Sequence, residues 1–389
     1  VEKKETVNLL ECVPQNTLAV FQVNDQNMLR SALSNLPFIE PIFELNDDFY
    51  NEIKAVLPES FSPNALLCIN PEGKAALAAS FIYKALPSDS LTQLDNSNEF
   101  FTYNSIPIQV EEEGTLKIFK ARVKDIYLIS SSQLVLENSI RNVQDQKKGI
   151  QDNRFFQLAD VSDPNAPLNL YLHHDVRELM DRFFPKTELF PFLGSTWFSF
   201  DFNTKKDPFT LDGVSFINDS IPDKLTFLKG LEPQPLLSPD CVPQSFDSYL
   251  ALAVGDYKSL EANFKKYSRY KNIALSEINF DALSGVNEIA WLKTKLNKAL
   301  YFHITNSEAI PPILFSDQTP EDSYRGISIS HVTFPEDLLY FLEAFGAAFN
   351  PNYVALVEDF LIYTQDKAYL KQLIGSYLDG NTLAQNFNF

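Results

Sequence analysis

The four-residue string Cys-Val-Pro-Gln occurs twice in this chain, at residues 12–15 and 241–244. Each copy follows an acidic residue, Glu11 or Asp240, and leads into an apolar run and then an amphipathic stretch. Internal repetition constrains a fold more than composition does, because a repeated unit must bury its apolar face in the same way each time.

The far ends of the two halves match as well. Residues 125–140 read DIYLISSSQLVLENSI and residues 359–374 read DFLIYTQDKAYLKQLI. Ile126 falls on Phe360, Leu128 on Ile362, Leu136 on Leu370 and Ile140 on Ile374. Both segments read as a short apolar strand, then small or polar residues, then a helix. Residues 130–132 and 364–366 supply side-chain oxygens that can accept from the orphan N–H groups of a helix start. Gly149 and Gly380 follow as left-handed stops. A related tail comes next, IQDNRFF from Ile150 and LAQNFNF from Leu383. The chain therefore reads as an α+β unit used twice. The competing reading is two strand–turn–helix segments that share only composition.

Strands are expected at 18–23, 65–69, 75–83, 100–103, 106–111, 115–121 and 126–129, with turns at 71–73 and around Gly114. Helices are expected at 25–36, 45–57 and 133–142. The second half repeats the order, with strands at 248–254, 287–293, 299–305, 326–332, 353–357 and 360–363 and helices at 257–267, 335–345 and 367–378. Between them lie strands at 168–173, 196–203 and 209–218 and helices at 175–184 and 222–231. Consecutive strands flanked by helices point to antiparallel α+β layers rather than βαβ winding. The expected divisions are 1–156 as the first unit, 157–239 as a segment continuing it, and 240–389 as the second unit. The proline-rich run 232–243 disfavours helix and sheet continuation and marks the boundary. The second unit would then lack its own continuation, so the natural protein is expected to run past Phe389, unless Phe389 is a true terminus. The start at Val1, without an initiator Met, reads as a mature or trimmed end.

The 389 residues carry 32 Lys and Arg against 51 Asp and Glu, a formal charge of −19. That field repels phosphate backbones and anionic head groups, so nucleic acid is not an expected partner. With 45% hydrophobic residues and 33 Phe, the chain can fill large cores. No apolar run reaches the roughly 18–20 residues that span a bilayer as a helix.

Catalytic signals are sparse. His173, His174 and Asp175 form a cluster at a strand end, where His173 and Asp175 share a face; metal or acid–base work there competes with a polar strand end in which Asp175 caps a helix. His303 and His331 lie alone on strands. No nucleophile elbow, phosphate loop or dinucleotide turn is present, and neither cofactor nor metal is expected. Cys12 and Cys241 occupy equivalent positions and either pair as a disulfide or are buried thiols; Cys68 leaves the count odd. Trp197 and Trp291 read as core. The aromatic runs 182–192 and 387–389 read as packing or as contact patches, and 218–220 fits a glycosylation sequon.

The arrangement resembles a family of bacterial cell-envelope proteins of unassigned function. The residues that carry the resemblance are Val13-Pro14 with Val242-Pro243, residues 128–131 with 362–365, and Gly380 with Leu383. The resemblance implies an anchor upstream of Val1 and a periplasmic or surface location; the family supplies no catalytic residues to carry over. Three functions follow as expectations. The first is a non-enzymatic scaffold with a protein partner in an envelope complex. The second is a binder of an apolar ligand, such as lipid, in a cavity between repeat sheets. The third is a hydrolase or transferase built on His173 and Asp175.

Overall fold

In the computed structural model, the residues described are 8–27, 47–73, 76–89, 99–145, 149–173, 175–176, 197–203, 210–217, 222, 224–270, 272, 283, 285–305, 320–335, 338–339, 341–342 and 349–385. They form two compact units, Val1–Thr187 with Ser195–Phe216, and Glu188–Gly194 with Ile217–Phe389. Each contains one antiparallel sheet, and the class is α+β.

The first sheet has ten strands: β1 (Ala19–Val23), β2 (Ala65–Glu72), β3 (Ala76–Lys84), β4 (Glu99–Tyr103), β5 (Ile106–Glu113), β6 (Leu116–Val123), β7 (Ile126–Ser130), β8 (Leu168–His173), β9 (Trp197–Asn203) and β10 (Thr210–Ser215). Their spatial order is β10-β9-β8-β1-β2-β3-β7-β6-β5-β4. The second sheet has seven: β11 (Ser248–Ala253), β12 (Val286–Lys293), β13 (Lys298–Ile304), β14 (Asp322–Tyr324), β15 (Ile327–His331), β16 (Tyr353–Val357) and β17 (Phe360–Thr364). Their order is β11-β12-β13-β17-β16-β15-β14, the order that β1 to β7 adopt in the first sheet.

The correspondence reaches single residues. The β4–β5 turn puts Asn104 and Ser105 at positive φ, and the β14–β15 turn does the same with Arg325 and Gly326. Two left-handed central residues give a turn whose twist matches that of the flanking strands. Lys124 and Glu358 are left-handed at the β6–β7 and β16–β17 turns. Both first strands begin with one irregular bond, from Leu18 N–H to Ile69 O and from Asp247 N–H to Lys293 O, each 2.9 Å.

Each sheet is covered on both faces, as alternation along the strands requires. On one face of the first sheet, Leu66, Cys68, Ile82 and Leu128 pack with Leu136 and Ile140 of α2 (Gln133–Gln144) and Phe155 and Leu158 of α3 (Asn153–Val161). On the other, Leu67, Phe81, Tyr83 and Ile129 pack with Val56 of α1 (Asp47–Val56) and Phe61. In the second unit, Ile289, Leu300 and Phe302 meet Leu260 and Phe264 of α4 (Tyr257–Tyr270). The opposite face brings Ala290, Tyr301 and Ile362 against Leu370, Leu373 and Ile374 of α5 (Lys367–Leu378).

Helix starts follow the side-chain logic. Ser132 caps α2 by accepting from Val135 N–H. At the aligned position, Asp366 caps α5 by accepting from Tyr369 N–H. Gly380 is left-handed as expected, at φ +72°, and the N–H of Asn381 reaches back to Ser376 O at 2.8 Å.

Several expectations are corrected. Gly149 is not a left-handed stop, since α2 already ends at Gln144. Its backbone runs against residues 11–13, and a Cβ there would meet Glu11 O at 2.4 Å. The tail from Ile150 contains a full helix, α3, capped by Asp152. Pro71 and Glu72 remain in β2, and β5 runs two residues past the expected end at Glu111, through Glu112 and Glu113. The expected helix at 222–231 is a short 3-10 turn, Lys224–Leu228. Tertiary packing decides its form: Phe227 is seated against Phe264 and Tyr267. Ile217–Phe389 belongs with the second unit, and Phe227 and Leu231 pack in that unit's core. β8, β9 and β10 continue the first sheet beyond β1. Most of the expected helices at 25–36, 175–184 and 335–345, the aromatic runs 182–192 and 387–389, and the sequon 218–220 lie outside the described residues.

Candidate functional site

His173 ends β8, where its N–H donates to Leu18 O at 2.8 Å. Its Nδ1 lies 3.3 Å from Asp175 Oδ2, and its ring meets the edge of Trp197 with centroids 5.0 Å apart. β8 ends at His173, so Asp175 lies beyond the strand and meets His173 as a local pair across the turn. His174 lies outside the described residues. Among the described residues, no group of three or more His, Cys, Asp or Glu is placed to hold a metal ion. His303 Nδ1 bonds Asn287 Oδ1, and burial lowers its pKa.

Cys12, Cys68 and Cys241 are free and buried. Cys12 and Cys68 belong to the core of the first unit and Cys241 to that of the second. Burial pushes the Cys12 thiol up to about 12 and raises Cys68 and Cys241 as well.

The repeated string has a structural role in both units. Val13 O accepts from Ile150 N–H at 3.3 Å, and Val242 O accepts from Leu383 N–H at 2.8 Å. Each string therefore ties the start of its sheet block to the tail that follows the closing helix. Asn142 Nδ2 adds a bond to Val13 O at 3.3 Å.

Sequence reasoning missed Glu288, a carboxylate that is 1% exposed in β12. It accepts from Leu237 N–H at 2.5 Å and Ser238 N–H at 3.1 Å, and also from Ser238 Oγ. Ser238 Oγ in turn lies 2.5 Å from the Tyr249 hydroxyl. The two N–H groups open the 3-10 turn Ser238–Asp240, whose own cap residue supplies no side-chain bond. In the first unit Asn8 performs that task locally, accepting from Leu10 N–H at 3.1 Å. Burying a carboxylate is costly, and charge-assisted bonds offset the cost here. The sequence signal was a lone Glu inside the apolar run VNEIAWLK. Ser238 is 1% exposed, so with Glu288 it fixes the turn from inside the core.

A shallow open depression lies over α5, lined by Tyr324, Lys371, Gly375, Ser376, Asp379 and Asn381. Its charges are mutually paired: Lys371 with Asp322 at 2.7 Å and Arg325 with Asp379 at 2.7 Å. Lys367 bonds Glu321 at 2.5 Å and lies over the Tyr353 ring, 5.3 Å from its centroid. This network fastens the β14–β15 hairpin to the helix.

The sheet edges are not alike. Edge strand β4 carries Glu99, β10 carries Asp212, and β14 is three residues long and carries Asp322. Charges and short length block edge-to-edge pairing. Edge strand β11, Ser-Tyr-Leu-Ala-Leu-Ala, has no charge and no proline, and its register with β12 runs without a bulge. Among the described residues, no strand pairs with its outer side. In the first sheet, the corresponding side of β1 is covered by β8, from Ala19↔Leu172 to Val23↔Leu168.

The chain matches no family model, and no curated protein or solved structure is significantly similar to it.

Proposed function

We propose that this chain is a non-enzymatic scaffold that binds another protein. The observation that carries the proposal is β11, an uncharged apolar edge strand at a place where the first sheet has a neighbour. Unpaired strand edges are templates for a further chain. The shared strand order and the matching turn residues support reading the two seven-strand blocks as copies of one unit. The resemblance noted from the sequence is what supports a bacterial-envelope location for that scaffold, with the acidic charge keeping an aromatic-rich chain soluble.

The test is purification from native membranes, followed by reconstitution. A partner that re-forms a stoichiometric complex with the purified chain supports the proposal. Recovery of the chain alone, with no partner under gentle extraction, refutes it.

A further inference from the structure

Val254 N–H donates to Asn287 O at 2.7 Å, in the register that pairs Ala253 with Glu288. Antiparallel bonding alternates along a strand. The N–H and C=O groups of Ala251 and Ala253 therefore point away from β12, to the open side. The first sheet shows what fills such a side. Asn24 N–H donates to Pro167 O at 2.9 Å, and Leu18 O accepts from His173 N–H at 2.8 Å. Counted from the two Cys-Val-Pro-Gln strings, Asn24 corresponds to Ala253 and Gln22 to Ala251. The strand that covers β1 reads Leu-Asn-Leu-Tyr-Leu-His, with leucines at alternate positions.

We infer that β11 accepts an added antiparallel strand from a partner protein: about six extended residues, apolar at alternate positions, with basic residues at both ends. This rests on the scaffold reading and specifies its partner. The basic ends follow from charge. Asp247 and Asp256 are exposed at the two ends of β11, and the chain carries −19 overall. The same charges oppose a second copy as the occupant. Antiparallel self-pairing centred on Ala251 would set Asp247 of each copy opposite Gly255 of the other, one residue from its Asp256, and like charges brought together across a pairing are unfavourable.

The probe is a synthetic peptide, Leu-Asn-Leu-Tyr-Leu-His flanked by two lysines at each end, with a scrambled control that destroys the alternation. Binding is followed by calorimetry, and amide exchange is measured with and without peptide. The expected result is saturable binding with slowed exchange at Ala251 and Ala253, and at least tenfold weaker binding by the scrambled peptide. Ala251→Pro should weaken binding at least tenfold while the fold survives, because that N–H serves no bond among the described residues and proline is tolerated on an edge facing outward. If Ala251→Pro does not fold, Ala253→Pro at the strand end makes the same test. Binding without protection in β11, or unchanged by either proline, overturns the inference, as does a dimer of the chain that Ala251→Pro dissolves. A reconstituted partner complex that survives Ala251→Pro refutes strand addition while leaving the scaffold reading intact.

Discussion

Gly149→Ala tests the tie between the repeated string and the tail of the first unit. A Cβ at this position would lie 2.4 Å from Glu11 O and 3.0 Å from Val13 O, both backbone atoms. Carbon–oxygen contacts settle at about 3.3–3.6 Å even where they attract, so one segment must retreat by about 1 Å. Overpacking of this kind costs about 1–3 kcal/mol. The retreat also weakens the 3.3 Å bond from Ile150 N–H to Val13 O, a loss of about 1 kcal/mol. Alanine returns some of this by narrowing the unfolded ensemble, about 0.4–1 kcal/mol. The net expectation is a destabilisation of about 2 kcal/mol in the first unit. Urea unfolding read by tryptophan fluorescence measures it, in a Trp291→Phe background that leaves Trp197, 2% exposed in the first unit's core, as the reporter. With a slope of about 2 kcal/mol per molar urea, the midpoint should fall by about 1 M. Gly285→Ala is the control, read from Trp291 of the second unit in a Trp197→Phe background, since a Cβ there meets nothing within 4 Å. A midpoint for Gly149→Ala within about 0.2 M of the parent, or an equal loss for Gly285→Ala, would refute the close approach as the cause.

Ser132→Ala and Asp366→Ala each remove a cap bond, and each should cost about 1 kcal/mol in urea unfolding. Tyr301→Phe should leave stability unchanged or raise it by about 1 kcal/mol, because the buried hydroxyl has no hydrogen-bond partner among the described residues; a clear loss would reveal a partner. The three buried thiols should resist a disulfide reagent at pH 8 in the native protein and react in full once denatured. The sign for pH follows from the raised thiol values. Folding favours the protonated form, so stability holds below the ordinary value of 9.0 and falls as pH rises toward about 12 for Cys12. Flat stability across that range in a calorimetric series would contradict it.

The strands were legible because apolar alternation and turn residues are local signals. Lys367–Leu378 and Leu168–His173 fall where the sequence pattern puts them. The helix caps Ser132 and Asp366 were legible for the same reason, since a cap bonds only a few residues away. What the pattern misplaced depends on distant contacts. Gly149 looks like a helix stop, but its reason for being glycine is a backbone more than 130 residues earlier in the chain. The segment around Phe227 has helical spacing, yet its packing against Phe264 and Tyr267 leaves a 3-10 turn. Glu288 carried a visible signal, a charge in an apolar strand, but its purpose depends on a turn 50 residues away. The open edge of β11 could not be read at all until strand order was known, because an edge is a property of the sheet rather than of the strand.

The tie at each Cys-Val-Pro-Gln string has a consequence for how such a chain can be cut and joined. Val13 and Ile150 bracket one seven-strand block, and Val242 and Leu383 bracket the other, with each pair joined by a backbone bond. The chain thus leaves each block beside the point where it entered. A block closed in this way can be spliced into a surface loop of another protein with little stretching of the host, or given new ends at a hairpin turn while a short linker joins the old ones. Circular permutants opened at the β4–β5 or β14–β15 turn should therefore retain their sheets.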